Sequence, residues 1–245
     1  MPTHMGHPGP WFRVQQRLSP DDGPVTTILF DMDNTLFDLV EAKLAACREV
    51  VAAVGKGDRD ELFRYFREGQ WGFEDWRNIR DYLCDHSRYS DERYETCCRI
   101  YDTVKLDGIV PYPNVPETLE TLRDRGFRLG VITDAFARDA ERRLAKADLR
   151  SRFDLVATCD RTGRKKPDAE PFLFALRALR AFPGETVLVG DSPHRDMEPA
   201  KRLGMRTVYA RYGDRFSVTR TATHADFVID DIGELPALLP RTAGL

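Results

Sequence analysis

The sequence predicts an α/β fold in which a doubly wound parallel sheet carries a small inserted α-helical domain. From residue 116 onward, short apolar runs alternate with segments of helical spacing, which is the pattern of successive strand and helix units in a parallel sheet. One further apolar run, at residues 28–30, precedes these units and is separated from them by helical spacing alone. A chain of 245 residues is long enough for one such core and a small accessory domain.

The overall composition narrows the possible partners and locations. The 37 basic and 40 acidic side chains leave a formal charge of -3, so we predict no nucleic-acid partner and no anionic membrane surface. No apolar run approaches the roughly 18 residues that span a bilayer, and the amino terminus lacks a secretory signal pattern, so we expect a cytoplasmic protein. The five cysteines show no C-x-x-C spacing and are expected to be free thiols.

Three parts with different roles are predicted along the chain. Residues 1–24 are rich in proline and glycine and are expected to form a flexible amino-terminal extension. Apolar residues then recur at helical spacing in four stretches, at 40–54, 62–66, 76–83 and 94–104. We therefore expect a helical cap domain over residues 39–109. Residues 25–38 and 110–245 are expected to form the α/β core.

The core is expected to contain one parallel sheet. Its first strand includes the apolar residues 28–30. The other strands are predicted at 128–132, 155–158, 186–189, 206–209 and 227–229, with helices at 117–125, 138–147, 171–179, around 200–203 and at 233–239. Because parallel strands separated by helices are joined by right-handed crossovers, these units are expected to build a single doubly wound sheet.

Two carboxylates follow the first strand directly. Asp31 and Asp33 come after the apolar run, at the carboxyl end of a buried strand, where parallel sheets bind ligands. Residues two apart in an extended chain lie on the same side, so both can reach one divalent cation and one substrate. One carboxylate could then attack an electrophile while the other transfers protons.

Other polar side chains are expected at the same edge of the sheet. They are Thr133 with Asp134, the basic run Arg164–Lys166, and Asp191 with Asp196. Because the carboxyl ends of parallel strands meet at one edge, we expect these groups to gather in one crevice. Acidic oxygens would hold a hard cation, most simply Mg²⁺, while a hydroxyl and an ammonium would bind phosphate oxygens.

Four segments, in this order, resemble the motifs of the haloacid dehalogenase-like (HAD) superfamily of phosphatases. They are Asp31–Thr35, Thr133, Lys166 within Lys166–Phe172, and Gly190–Asp196. The resemblance extends from about residue 26 to residue 239 and implies a Rossmann-like core with a helical cap inserted after the first motif.

The resemblance implies roles for individual residues. Asp31 would be the phosphorylated nucleophile and Asp33 the general acid and base, with Lys166 as the third catalytic residue. Thr133 and Lys166 would bind the phosphate. Mg²⁺ would be held by Asp31, the backbone carbonyl of Asp33 and Asp191.

A further set of residues is expected to support this site. Asp134 stands where much of the family has asparagine, and we expect a structural role for it. Asp196 is expected to orient Lys166 or a metal-bound water. Thr35 and Ser192 are expected to precede helix amides that add hydrogen-bond donors.

The functional hypothesis is a Mg²⁺-dependent phosphatase that hydrolyses a small phosphorylated metabolite through an aspartyl-phosphate. Two alternatives stay open: a phosphotransferase resembling a sugar-phosphate mutase, and a non-catalytic binding or regulatory protein on the same fold. The pair of Asp31 and Asp33 argues against the last, because binding alone does not need both. Asp33 also argues against the dehalogenases of the family, which lack a carboxylate at that position.

Side chains of the predicted cap are candidates for selecting the substrate. Three arginines and three aromatic residues are considered, and core packing is the favoured interpretation for the aromatic ones: Arg67, Arg77, Arg80, Trp71, Phe73 and Trp76. The phosphonatase branch of the family uses a cap lysine to form an imine, but no matching motif surrounds Lys43, Lys56 or Lys105. Beside the motifs, Lys165 and His194 are expected to be solvated neighbours without a role.

Overall fold

The computed structural model describes residues 23–217 and 225–239. The predicted amino-terminal extension therefore lies outside the described residues, apart from its last two. Within them the chain forms a six-stranded sheet with helices on both faces and a helical segment inserted after the first strand. The predicted fold class is confirmed.

All neighbouring strands of the sheet are parallel, in the order β3-β2-β1-β4-β5-β6. The strands are β1 (Thr27–Asp31), β2 (Arg128–Ile132), β3 (Leu155–Ala157), β4 (Thr186–Gly190), β5 (Arg206–Ala210) and β6 (Phe227–Ile229). The chain runs outward from β1 to β3 on one side and from β4 to β6 on the other. The strand order therefore reverses between β1 and β4, and the carboxyl ends at such a switch point border a ligand-binding crevice.

The helices of the core agree with the predicted ones to within two residues at most ends. They are α5 (Val115–Asp124), α6 (Ala137–Lys146), α7 (Cys159–Thr162), α8 (Glu170–Leu179), α9 (Glu198–Arg202) and α10 (Leu235–Leu238). The short helix α7 was not predicted, because four residues carry no helical period. Among the described residues, no helix combines the length and the apolar character needed to cross a bilayer.

Both faces of the sheet are covered by apolar side chains. Ile28 and Phe30 of β1 belong to one buried cluster, whereas Leu29 packs with Phe172 and Leu176 of α8 in another. Successive side chains of a strand point to opposite faces, so a strand covered on both sides must be apolar throughout. Burial of each such side chain contributes about 1.5–3 kcal/mol, and this packing holds the carboxyl end of β1 in place.

The helical insertion, residues 39–107, has its own buried cluster. It contains α1 (Leu39–Val54), α2 (Arg59–Glu68), α3 (Arg77–Asp85) and α4 (Asp91–Asp107). The rings of Phe66 in α2 and Tyr101 in α4 stack with centroids 4.7 Å apart. The side chains of Asp38, Asp58 and Ser90 accept hydrogen bonds from the first turns of α1, α2 and α4, which satisfies amide donors that a helix start leaves free.

All five cysteines lie in the described residues and are free, as predicted. Cys47, Cys97 and Cys98 are buried in the cluster of the helical insertion, and Cys84 is exposed. Burial raises the pKa of the Cys47 thiol to about 12. The thiol therefore stays protonated and packs as a small apolar group.

Candidate active site

The strand ends at the switch point bring three carboxylates together. Asp31 is the last residue of β1, and Asp191 and Asp196 follow β4. Each is buried, and one oxygen of each lies within 4.8 Å of the others. Residues far apart in sequence therefore meet at one edge of the sheet, as predicted from its topology.

Lys166 stands between two of these carboxylates. Its ammonium donates hydrogen bonds to Asp31 Oδ1 and, at 2.6 Å, to Asp196 Oδ1, and its side chain is 1% exposed. Burial disfavours the charged ammonium, but Asp196 and Asp31 outweigh it and raise the pKa of Lys166 above its usual value. The neighbouring Lys165 lines the open cleft instead.

Asp196 is held by contacts to both of its oxygens. Oδ1 accepts from Lys166, and Oδ2 accepts from the backbone amide of Ser192 at 3.0 Å. A Cβ atom on Gly190 would lie 2.7 Å from Asp196 Cγ, so this close approach requires glycine at the end of β4. These contacts suit Asp196 to orienting the lysine.

The three carboxylates fit a divalent cation. Asp191 Oδ1 is buried and has no hydrogen-bond partner among the described residues. Burial and the nearby carboxylates of Asp31 and Asp196 raise the pKa of Asp191 well above its usual range. A group of buried oxygens with one unpartnered ligand atom matches the donor set of a hard cation such as Mg²⁺.

Thr133 and Asp134 follow β2 on the other side of Asp31. Thr133 is buried, and its hydroxyl oxygen accepts from the Ala135 amide at 3.1 Å. Asp134 accepts from the Lys166 backbone amide at 2.9 Å and from the Arg195 guanidinium at 3.3 Å. Asp134 thus links the lysine loop to the loop after β4.

Asp33 does not belong to the group of three carboxylates and instead pairs with an arginine. Its two oxygens accept from Arg143 Nη1 at 3.0 and 2.9 Å, and its side chain is 21% exposed. Burial raises the pKa of Asp33 and Arg143 lowers it, with a net result of about 6. A carboxyl group of this pKa can both donate and accept a proton near neutral pH.

Arg143 is a residue of this site that the sequence analysis missed. It lies on α6 among other basic side chains at helical spacing, and such a helix normally exposes its charges to solvent. The side chain is nevertheless 2% exposed. Arg143 follows Ala140 by three positions and precedes Ala147 by four, so it lies on the buried stripe of α6. This spacing is the signal that could have found it.

The turn after Asp31 is shaped by local hydrogen bonds. The hydroxyl of Thr35 donates to Asp31 Oδ2 at 3.4 Å. The amides of Thr35 and Leu36 donate to the carbonyl of Met32, and α1 starts at Leu39. The prediction of free helix amides directly after Thr35 was therefore wrong, because a turn uses these donors before the helix starts.

A loop after β5, residues 211–217, supports this turn, and we call it the supporting loop. The Tyr212 hydroxyl donates to the Thr35 carbonyl at 2.8 Å. A Cβ atom on Gly213 would collide with the backbone of Asn34, at 2.8 Å from its carbonyl carbon and closer still to its oxygen. Position 213 therefore requires glycine, a requirement that the loop sequence alone does not indicate.

The supporting loop also contacts the helical insertion. Arg215 pairs with Asp38 at 3.4 Å, just before α1. The ring of Phe216 packs edge-on against Phe73, with centroids 6.1 Å apart. The loop thereby joins the turn after Asp31 to the insertion.

A cleft of about 1160 Å³ lies between the helical insertion and the core. Asp33, Asp134 and Asp191 line it from the core side. Of the cap candidates, Arg67, Phe73 and Trp76 line it, and Trp76 is 44% exposed. The site of the three carboxylates therefore opens into a space that the insertion covers.

The other candidates of the insertion have partners elsewhere. The Arg77 guanidinium lies 3.8 Å from the Trp71 ring centroid and pairs with Asp75, and Arg80 pairs with Asp81 at 3.5 Å. His194 lines the cleft, with its ring exposed and 3.2 Å from Glu198.

The three lysines of the insertion are also held by hydrogen bonds. Lys43 is buried and donates to the carbonyl of Phe73, and burial lowers its pKa to about 7. Lys105 donates to Glu74 at 3.2 Å, and Lys56 to the His86 carbonyl at 3.5 Å.

Comparison with known proteins identifies the family. The family model of the haloacid dehalogenase-like hydrolases matches residues 28–210. This match spans more than half of the chain, and the chain belongs to that family.

The relatives define the enzyme class more narrowly. The glyceraldehyde 3-phosphate phosphatase of Methanocaldococcus jannaschii is 30% identical over 85% of this chain and 94% of its own length. The pyrophosphatase PpaX of Bacillus velezensis is 29% identical over 87% of this chain and 96% of its own length. A HAD phosphatase from Thermococcus onnurineus has a solved structure with a TM-score of 0.64 and 27% identity, covering 90% of this chain and 100% of that one. The chain is accordingly an enzyme of the phosphatase branch of the family.

The close approach of the supporting loop gives a first testable prediction. Gly213→Ala should lower the free energy of unfolding by about 1–3 kcal/mol, because the added methyl group forces the loop away from Asn34. Chemical denaturation measures this change. Gly184→Ala is the matched control, since a Cβ atom there meets nothing within 4 Å, and its effect should stay within about 0.5 kcal/mol. Equal stability of the two variants would contradict the contact.

Proposed function

We propose that this protein is a Mg²⁺-dependent phosphatase that hydrolyses the phosphate monoester of a small metabolite through an aspartyl-phosphate on Asp31. The observation that carries the proposal is the meeting of Asp31, Lys166 and Asp191 at the switch point of the sheet. This arrangement combines a nucleophile, a fixed positive charge and a cation site in one crevice.

The cation would be held by Asp31, Asp191 and the backbone carbonyl of Asp33. When bound, it supplies positive charge that offsets the repulsion between an anionic nucleophile and an anionic phosphate ester. Uncatalysed hydrolysis of phosphate monoesters is among the slowest reactions known, so this offset has a large effect on the rate.

The reaction then needs two carboxylates with different tasks. An oxygen of Asp31 attacks phosphorus, the bond to the ester oxygen breaks, and protonated Asp33 gives its proton to the leaving alkoxide. Asp33 next takes a proton from the water that attacks the aspartyl-phosphate. The bond between phosphorus and Asp31 breaks, and inorganic phosphate leaves. The pKa of about 6 for Asp33 suits a group that performs both proton transfers.

The remaining polar groups would bind the phosphate. The Lys166 ammonium, already adjacent to Asp31, and the Thr133 hydroxyl would interact with the oxygens that do not react and stabilise the charge of the transition state. Asp196 would fix the direction of the Lys166 ammonium, because it accepts one of the ammonium's hydrogen bonds at 2.6 Å. Thr35 and Ser192 would hold Asp31 and Asp196 in turn.

We propose that residues 39–109 act as a cap domain on a core of residues 25–38 and 110–245. The cleft between the two parts supports this division, as does the separate buried cluster of the insertion. A cap over the crevice would exclude water from the phosphoryl transfer and contribute substrate contacts through Arg67, Phe73 and Trp76.

The substrate is proposed to be a small phosphorylated metabolite. Relatives named as phosphatases of glyceraldehyde 3-phosphate, and a pyrophosphatase, support this size class.

Replacement of the nucleophile tests the proposed chemistry. Asp31→Asn should reduce the release of inorganic phosphate from p-nitrophenyl phosphate to below about 1% of the wild-type rate, because an amide cannot form the acyl phosphate. Asp124→Asn, at an exposed position on α5, is the control and should retain full activity. Phosphate release by the Asp31 variant at the wild-type rate would rule out the proposed function.

Removal of the metal tests the cation site. EDTA should abolish phosphate release, and added Mg²⁺ should restore it. Asp191→Asn should raise the Mg²⁺ concentration for half-maximal activity by at least about tenfold, because it removes one of the ligand charges. Titration of activity with Mg²⁺ measures this shift. An unchanged Mg²⁺ requirement would exclude Asp191 as a ligand.

The pKa of Asp33 predicts the pH dependence of the first step. Its pKa is raised from 3.8 to about 6, so the acid form needed for proton donation is present below pH 6 and is lost above it. With phenyl phosphate, kcat/KM should therefore fall by about tenfold per pH unit above about pH 6. Asp33→Asn should lower kcat/KM and remove this decline. A wild-type kcat/KM that stays constant between pH 6 and 8 would contradict the assignment.

A further inference from the structure

Arg143 connects the proposed general acid to the helical insertion. One nitrogen of its guanidinium donates to both oxygens of Asp33, and another donates to Glu74 Oε1 at 2.8 Å. Burial disfavours the charge, but Asp33 and Glu74 raise the pKa of Arg143 above its usual value. A buried guanidinium between two carboxylates is fixed in direction by both of them.

Glu74 is in turn held by the insertion. It lies between α2 and α3, and it accepts from Lys105 of α4 at 3.2 Å. The preceding Phe73 is fixed by Lys43 of α1, whose ammonium donates to its carbonyl and lies 3.5 Å from its ring centroid. Burial opposes ionisation of Glu74, but Arg143, Lys43 and Lys105 together hold its pKa well below the usual range. Glu74 is therefore a charged group that moves with the insertion.

Two other ion pairs join α6 to the insertion without reaching Asp33. Arg142 donates to Asp102 of α4 at 2.9 Å, and Lys146 donates to Asp107 at 2.9 Å. Their side chains are partly exposed, in contrast to the buried Arg143. Asp102 also lies 4.0 Å from Lys105, the partner of Glu74, whereas Asp107 is 66% exposed and pairs with Lys146. The Lys146–Asp107 pair therefore separates a general docking effect from an effect on Asp33.

We propose that Arg143 and Glu74 are positioning residues that align the carboxyl group of Asp33 with the leaving group while the insertion is docked on the core. This inference rests on the proposed role of Asp33 as general acid. Each Asp33 oxygen keeps a lone pair beyond its contact with Arg143, and Asp33 also lines the cleft. Without Glu74 on one side, the Arg143 guanidinium can rotate and no longer fixes the carboxyl group of Asp33. Proton donation by Asp33 therefore depends on docking of the insertion on the core.

The experiment uses substituted phenyl phosphates that share one shape but differ in the acidity of the leaving phenol. Proton donation matters little for p-nitrophenyl phosphate and much more for phenyl phosphate, because p-nitrophenolate is a far better leaving group. The plot of log kcat/KM against the pKa of the leaving phenol therefore reports the alignment of Asp33. A general loss of structure lowers all points equally and leaves the slope unchanged.

For Arg143→Lys and Glu74→Gln, kcat/KM for phenyl phosphate should fall about tenfold further than that for p-nitrophenyl phosphate, which makes the slope steeper. Asp107→Asn, which breaks the exposed Lys146–Asp107 pair between α6 and the insertion, should lower kcat/KM for all substrates by one common factor. If Arg143→Lys does not fold, Glu74→Gln still tests the proposal, because this variant keeps the buried Arg143 beside Asp33.

The outcomes separate this inference from the proposed function. Parallel plots for wild type, Arg143→Lys and Glu74→Gln, with turnover that still requires Asp31, would overturn the positioning role and leave the phosphatase assignment intact. Absence of turnover that requires Asp31 in the wild-type protein would overturn both. A steeper slope in Asp107→Asn equal to that of Glu74→Gln would show that docking in general, and not the Arg143 contact, controls proton donation.

Discussion

The charge balance around the Lys166 ammonium is the constraint on which this site depends. Asp31, Asp191 and Asp196 are buried with oxygens within 4.8 Å of one another, and like charges at such distances repel strongly away from water. Lys166 offsets part of this repulsion by bonding to two of the carboxylates. Apolar packing on both faces of the sheet holds the strand ends together and opposes the repulsion that remains. Asp191 Oδ1, which has no hydrogen-bond partner in the part of the chain that the structure describes, leaves the cluster complementary to a cation.

Much of this arrangement could be predicted from the sequence because it follows from topology. Apolar runs and helical spacing define parallel strands, and the ends of parallel strands lie at one edge regardless of how far apart they are in the chain. Asp31, Lys166 and Asp191 were therefore expected to meet, and they do. The family motif also indicated Lys166 and not Lys165 as the lysine of the site, and Lys166 is the one that contacts Asp31.

The contacts that could not be predicted join parts of the chain that are distant in sequence. Apolar periodicity does not show which of their residues meet. Asp33 and Arg143 are 110 positions apart, and the apolar spacing of α6 places Arg143 on the buried stripe without showing which distant residue it contacts. Glu74 lies in an irregular segment between two helices, where apolar spacing gives no direction for a side chain. Gly213 lies in a polar loop, where only the close approach of the Asn34 backbone shows that the position requires glycine. In each case the partner is set by the packing of the insertion or of a loop on the core.

The supporting loop has a consequence for how the molecule unfolds. Its Tyr212 and Gly213 contact the turn after Asp31, and its Arg215 and Phe216 contact the insertion. Separation of the two parts would therefore expose the loop and loosen the turn at the same time. Cooperative units in proteins are defined by such shared contacts. Heating is expected to melt the core and the insertion in a single calorimetric transition, not as two independent units.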